Sequence, residues 1–286
     1  MSEDHLSSRC AVIGNPIAHS RSPQIHQWFA NQFELRIDYQ RIQAEDNSCE
    51  NTSFENTSFE NTVTQFFSAG GRGLNITSPF KQQAFAMADI QSPAACQAES
   101  GNTLWLDDGQ LHVTSTDGAG WYQHIQHLGV ELTNSNILIL GAGGAGRVIF
   151  EFLKELGTVA SIVLANRSQE KLATLHFPTN TFGVTLDSIP NQDYNLIINA
   201  LPTGWQNSFP EVSVPVTEIT AAYDLNYAEG AKSFQEWFLA AGGQQKHFYD
   251  GWGMLVCQAA LSFETWWAQK PRTAELINHP ELILNL

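Results

Sequence analysis

Five short runs of the chain carry residue types that together could perform a redox reaction. Lys81 closes Asn75-Ile76-Thr77-Ser78-Pro79-Phe80-Lys81 and supplies an amine. Asp117, in Ser115-Thr116-Asp117-Gly118, supplies a carboxylate, and Asn102-Thr103 supplies an amide and a hydroxyl. Ser20-Arg21-Ser22-Pro23 adds two more hydroxyls. Gly141-Ala142-Gly143-Gly144-Ala145-Gly146 is a turn able to cradle phosphate. An amine and a carboxylate can pass a proton to or from a substrate oxygen, while a dinucleotide held on such a turn carries the hydride. The set fits the movement of a hydride and a proton on a small polyhydroxylated acid.

Each of these residues also has a plainer role. Lys81 falls in the first helical turn after Pro79, where the helix dipole disfavours a cation and biases the amine toward releasing its proton. A lone lysine is ordinarily a solvated charge, and only a partner changes that. Asp117 begins a helix, where an aspartate is ordinarily the cap. Ser22 reads as the N-cap of a helix with Pro23 in its first turn. Hydroxyls and free N–H groups at a helix start can also hold a carboxylate, and the two roles are compatible. Among His19, His26, His124 and His127, the last two form an i, i+3 pair, which without a carboxylate beside it reads as a polar helix face rather than a metal site.

Gly141-x-Gly-x-x-Gly146 follows the apolar strand Ile137–Leu140 and precedes a helix with an apolar stripe at Val148, Ile149, Phe152, Leu153 and Leu156. The next strand, Ser161–Ala165, ends at Asn166-Arg167-Ser168, with Lys171 one turn further on. An NAD site would carry an acidic residue at that strand end. An arginine there can grip a 2′-phosphate instead. The reading favours NADP; the alternative is that Arg167 and Lys171 are ordinary solvated charges.

These residues need elements to position them. Residues 10–114 read as βαβαβα followed by a hairpin over Asp107-Asp108-Gly109, an α/β unit. The series from Ile137 reads as a βαβ array with a parallel sheet. A closing helix from Gly251 to Trp267 is expected to return to the first domain and make it discontinuous. The expected bounds are 1–117 with 252–286 for one domain and 118–251 for the other. One segment fits neither periodicity: Asn51-Thr-Ser-Phe-Glu55 recurs as Asn56-Thr-Ser-Phe-Glu60, and Asn61-Thr62 begins a third copy. It is expected in a surface loop or at a helix start, where insertions are tolerated.

The 286 residues carry a formal net charge of −15, which repels phosphate backbones and argues against nucleic acid as a partner. Cys10, Cys49, Cys96 and Cys257 lack metal spacing and read as reduced thiols of a cytoplasmic protein. Neither a signal peptide nor a membrane-spanning run is read.

Taken in order, Gly14-Asn-Pro-Ile-x-His-Ser-x-Ser-Pro23, Asn75-Ile-Thr-x-Pro-Phe-Lys81, Asn102-Thr, Ser115-Thr-Asp-Gly118, the glycine turn, Asn166-Arg-Ser168, Tyr223-Asp-Leu-Asn-Tyr227 and Gly251-x-Gly-Met-Leu-Val-x-Gln258 resemble the shikimate dehydrogenase family. The resemblance runs over about residues 10–270. It implies a discontinuous N-terminal substrate-binding α/β domain and a Rossmann-type NADP-binding domain. It also implies the NADP-dependent interconversion of 3-dehydroshikimate and shikimate on the way to chorismate and the aromatic amino acids, by a monomer or homodimer without a metal. By motif, Ser20 and Ser22 would hold the substrate carboxylate. Thr77, Asn102, Asp117, Tyr227 and Gln258 would bind ring hydroxyls. Lys81 with Asp117 would be the acid–base pair. Gly141, Ala142, Gly143, Gly144, Ala145, Asn166, Arg167, Ser168, Lys171, Leu225 and Gly251 would line the cofactor.

The chain departs from the family's usual pattern in two places. Ser100-Gly101 stands where Ala-Val is usual, and Leu225 where methionine is common. The first is expected to alter the loop presenting Asn102, the second only packing against the nicotinamide. A quinate/shikimate dehydrogenase of relaxed cofactor choice would prefer an acidic residue near Arg167. A non-catalytic ligand-binding regulator would be expected to lack Lys81 or Asp117.

Overall fold

Short apolar runs separated by turn residues become strands, and the amphipathic runs between them become helices. The computed structural model describes residues 8–45, 58–202 and 209–284. The first elements are β1 (Ser8–Gly14), α1 (Ser22–Asn31), β2 (Ile37–Gln43), α2 (Phe59–Ser68), β3 (Gly73–Ile76) and α3 (Lys81–Met87). Then come β4 (Ile90–Gln91), α4 (Pro93–Ala98), β5 (Thr103–Asp107), β6 (Gln110–Thr114) and α5 (Asp117–Leu128). The parallel array holds β7 (Asn136–Leu140), α6 (Gly144–Leu156), β8 (Ser161–Asn166), α7 (Gln169–Ala173), β9 (Thr181–Thr185), β10 (Leu196–Asn199) and β11 (Ala221–Asp224). The chain continues through α8 (Lys232–Ala240), β12 (Phe248–Tyr249), α9 (Trp252–Trp267), α10 (Ala274–Asn278) and α11 (Glu281–Leu284).

The chain divides into two compact units, Met1–Gly120 with Val256–Leu286, and Trp121–Leu255. The first unit is built on a six-stranded mixed sheet of order β2-β1-β3-β5-β6-β4. β1 runs parallel to β2 and β3, and the β5–β6 hairpin is antiparallel to its neighbour β3. The hairpin turns over Asp108 and Gly109, with φ of 47° and 77°, the left-handed pair that matches strand twist. Phe59, Leu74, Phe80 and Leu104 lie in its core. From α9, Trp266 donates through its indole N–H to the Leu104 carbonyl at 3.2 Å.

In the second unit six strands run parallel in the order β12-β11-β10-β7-β8-β9. This is a doubly wound sheet whose order reverses between β7 and β10, the place where such sheets hold ligands. Ile137 and Ile139 of β7 face one apolar layer, with Ile149 and Leu153. Leu138 and Leu140 face the other, with Phe234 and Phe238. Both faces of β7 are buried, which is why it reads as a continuous apolar run.

Three expectations change. Ser22 is the first residue of α1 rather than its cap; Arg21 holds the N-cap position and makes no side-chain capping bond. α2 begins at Phe59, ahead of the Val63 start expected from periodicity. The cap is Ser58, from the second repeat copy, whose side chain accepts from Asn61 N at 3.2 Å. That copy thus supplies a helix start; the first, Asn51–Glu55, lies outside the described residues. β9, α4 and α8 had no counterpart in the sequence reading.

Candidate active site

Lys81 is the first residue of α3, and Asp117 the first of α5. Their side chains meet: Lys81 Nζ lies 2.6 Å from Asp117 Oδ2. The expectation that Asp117 serves mainly as a cap therefore gives way to an ion pair. The lysine side chain is 27% exposed and the aspartate 8%, so the amine faces solvent while its partner is sheltered. Charge-assisted contacts of this kind are short and strong.

Asn102 holds the carboxylate from the other side. Its Nδ2 donates to Asp117 Oδ1 at 3.0 Å, Thr116 Oγ1 at 2.8 Å and Gln258 Oε1 at 3.0 Å. Its Oδ1 accepts from the Thr116 backbone N–H at 2.9 Å. A backbone N–H can only donate, so this bond fixes which end of the amide faces Asp117. Gln258 sits on α9 and brings the end of the chain into the same cluster.

A buried polar network, unforeseen from the sequence, supports this cluster. Asn75 Nδ2 donates to the Asn102 carbonyl at 3.1 Å and to Ser262 Oγ at 2.9 Å. Its Oδ1 accepts from the Tyr39 hydroxyl at 2.7 Å. Thr103 Oγ1 and Ser262 Oγ are 2.7 Å apart. The Tyr39 ring stacks on His26, which is fully buried and also stacks on Trp266. Burial pushes the Tyr39 phenol well above its ordinary range and pulls His26 down to about 3, so both are neutral. Asn75 opens the lysine motif and was the one signal of this network; the partners from β2 and α9 are too distant in sequence to read.

Ser20 and Ser22 are hydrogen-bonded to each other at 3.2 Å, and Arg41 Nε fixes the Ser20 carbonyl at 2.8 Å. Thr77 is partly exposed beyond the end of β3. Gly101 N donates to the Lys81 carbonyl at 2.9 Å, and a Cβ on Gly101 would lie 2.0 Å from Val113 Cγ2. Val113 fills the space that a side chain at position 101 would take.

In the second unit, Gly141 has φ of 106° and a Cβ there would lie 3.0 Å from Ala200. A Cβ on Gly146 would lie 1.9 Å from the Gly141 carbonyl oxygen. The fold itself demands these two glycines. It does not demand Gly143 or Gly144, whose added Cβ atoms would meet nothing within 4 Å. Open space over the N-terminus of α6 fits the close approach of a pyrophosphate. Asn166 accepts from Ala142 N at 3.2 Å and donates to the Ser168 carbonyl at 3.0 Å, tying the turn to the next strand end. Arg167 and Lys171 are exposed there, and neither joins an ion pair among the described residues. These features fit NADP. Leu225 and Tyr227 follow β11, and Gly251 N donates to the Asn226 carbonyl at 2.8 Å. His124, sequence-read as surface, is buried, with Nδ1 2.7 Å from the Tyr223 hydroxyl.

Residues 12–104 match the family model described as the shikimate dehydrogenase substrate binding domain. The chain is 40% identical over 275 residues to the shikimate dehydrogenase (NADP(+)) of Pasteurella multocida, covering 93% of this chain and 97% of that protein. The chain belongs to the shikimate dehydrogenase family. Among solved structures it is similar to an Ael1 enzyme from Pseudomonas putida, at 33% identity and a TM-score of 0.83, over 96% of this chain and 98% of that one. The shikimate 5-dehydrogenase of Thermus thermophilus in complex with NADP(H) and shikimate matches at 26% identity and a TM-score of 0.79, over 97% and 100%.

Proposed function

We propose that this chain is an NADP-dependent shikimate dehydrogenase, reversibly reducing 3-dehydroshikimate to shikimate in aromatic amino acid biosynthesis. The observation that carries the reading is the 2.6 Å pair of Lys81 and Asp117, with Asn102 on the second carboxylate oxygen. NADP, when bound, supplies or receives the hydride. In reduction Lys81 donates a proton to the oxygen that becomes the hydroxyl, and in oxidation it takes that proton back. Asp117 stabilises the ammonium and keeps its N–H groups aimed. Asn102, Thr77 and Gln258 are assigned the ring hydroxyls, and Ser20 with Ser22 the carboxylate. Tyr227 is assigned a further hydroxyl and Leu225 the nicotinamide. Gly141 to Ala145, Asn166 to Ser168, Lys171 and Gly251 are assigned the rest of the cofactor, with Arg167 on the 2′-phosphate. The enzyme is read as a cytoplasmic monomer or homodimer acting on a small molecule. No helix among the described residues is long and apolar enough to cross a membrane.

The test is the formation of NADPH from NADP with shikimate, set against NAD and against quinate. Turnover with shikimate and NADP far above the other combinations is expected. Absence of shikimate oxidation by the folded protein overturns the reading.

A further inference from the structure

Asn199 and Asp224 end β10 and β11 as register partners, and both are fully buried. Asn199 Nδ2 donates to Asp224 Oδ2 at 3.0 Å, and its Oδ1 accepts from Leu201 N at 3.1 Å. Asp224 Oδ1 accepts from both N and Nδ2 of Asn226, each at 2.8 Å. Asn226 Nδ2 also reaches the Leu201 carbonyl at 3.2 Å. Leu225 N donates to the Asn199 carbonyl at 2.9 Å, and Gly251 N to that of Asn226 at 2.8 Å. A Cβ on Gly251 would lie 2.4 Å from the Leu225 carbonyl oxygen, so the second segment crosses at a distance only glycine allows. The two residues between Asp224 and Tyr227 are therefore fixed from three sides.

This assembly lies at the C-terminal ends of the strands, beside the reversal of sheet order where doubly wound folds hold ligands. Ala200, the neighbour of Asn199, abuts Gly141 of the glycine turn. A buried carboxylate facing three N–H groups and, among the described residues, no cation is costly to maintain, and a turn that needed only a cap would be served by a neutral side chain. We propose that Asn199, Asp224 and Asn226 form a clamp of positioning residues that sets where Leu225 and Tyr227 stand for hydride transfer. The inference rests on the proposed function. Small misplacements of reacting groups cost on the order of a hundredfold in rate, which is the reason to fix such a segment rigidly.

The test compares wild type with Asn226→Ala and Asn226→Ser. Both variants keep the backbone N–H to Asp224, and the serine hydroxyl can still donate. The measurements are kcat, the Kd of NADP by direct titration, and the isotope effect on kcat with shikimate deuterated at the transferred hydrogen. In Asn226→Ala, kcat is expected to fall by about tenfold to a hundredfold. The isotope effect should rise, the NADP Kd should stay within about twofold, and Asn226→Ser should recover much of the rate. A kcat and isotope effect within about twofold of wild type overturn the clamp, as does a Kd that weakens in step with kcat. If Asn226→Ala does not fold, Asn226→Ser against wild type is judged by the same readouts. Wild-type inactivity with shikimate would instead overturn the proposed function, so the two failures are separable.

Discussion

In the first unit the carboxylate of Asp117 faces an amine and an amide, whereas in the second that of Asp224 faces three N–H groups and, among the described residues, no cation. The first is paired with an amine that opens to solvent, which suits proton exchange. The second has its charge penalised: burial, opposed by its hydrogen bonds, raises its pKa to about 7. His26 in the first unit is also buried without a countercharge, and burial lowers it to about 3. Chemistry is thus assigned to the aspartate that has a partner, and order to the titratable groups that lack one.

The largest effect expected is on Lys81→Ala. Its kcat should fall by roughly two to four decades, the size of a general acid–base contribution, with the fold retained. Asp117→Asn should be strongly impaired too, and the double variant little worse than the worse single, because the two act as a unit. Steady-state kinetics with shikimate and NADP measure this. A Lys81→Ala kcat near wild type would return that residue to the status of a solvated charge.

The two units should respond to pH in opposite senses. His26 has a folded pKa of about 3 against an unfolded value of about 6.5. Its contribution to stability is fully present above the unfolded value and is lost as pH falls toward the folded one. Asp224 has a folded pKa of about 7 against an unfolded value of about 3.9. Its contribution is present below the unfolded value and is lost as pH rises through the folded one. Each is worth roughly 4–5 kcal/mol at most. Hydrogen exchange resolved by strand reads both, in β1 and β3 and in β10 and β11. His26→Phe should flatten the acid loss in the first unit and Asp224→Asn the neutral loss in the second. Identical pH profiles in the two units would contradict the contrast.

A smaller effect is expected at the cofactor end. Arg167 is exposed, so its contact with a 2′-phosphate is placed at the low end of charge-assisted bonds, about 1.5 kcal/mol or roughly tenfold. Arg167→Ala should lower kcat/KM with NADP by that factor and leave the value with NAD unchanged. An unaltered ratio would transfer the role to Lys171 or Ser168.

The smallest effect belongs to the repeat. Deleting Asn56–Glu60 joins Glu55 to Asn61, so the sequence entering α2 again reads Ser-Phe-Glu-Asn. Stability should change by less than about 1 kcal/mol, or under about 4 °C in Tm. A larger fall would show that the two copies are not interchangeable.

The parallel array was readable because β7 and β8 are continuous apolar runs, and the glycine turn stands directly between β7 and α6. β9 was not: Thr181–Thr185 is a half-exposed edge strand with a glycine at its centre, and shows no alternation. α4 is six residues long, too short for a period, and α8 starts without a side-chain cap. At the site, motifs named Lys81, Asp117 and Asn102, and only the family resemblance paired the lysine with the aspartate. Their meeting depends on contacts between residues tens of positions apart, which no local period encodes. Tyr39 and Ser262 lie in ordinary strand and helix sequence, so nothing marked them.

Gly101 carries a consequence for evolution and for engineering. Its backbone N–H is tied to the Lys81 carbonyl, and the space its side chain would take is filled by Val113. Restoring the bulkier residue usual in relatives at position 101 would therefore push on Val113 and, through the backbone, on the lysine. The two positions share one space, so a side chain at 101 is expected to be accommodated only where Val113 turns away or is replaced by a smaller residue. A substitution at 101 made without regard to 113 is therefore expected to reach the lysine through the Gly101 to Lys81 backbone bond.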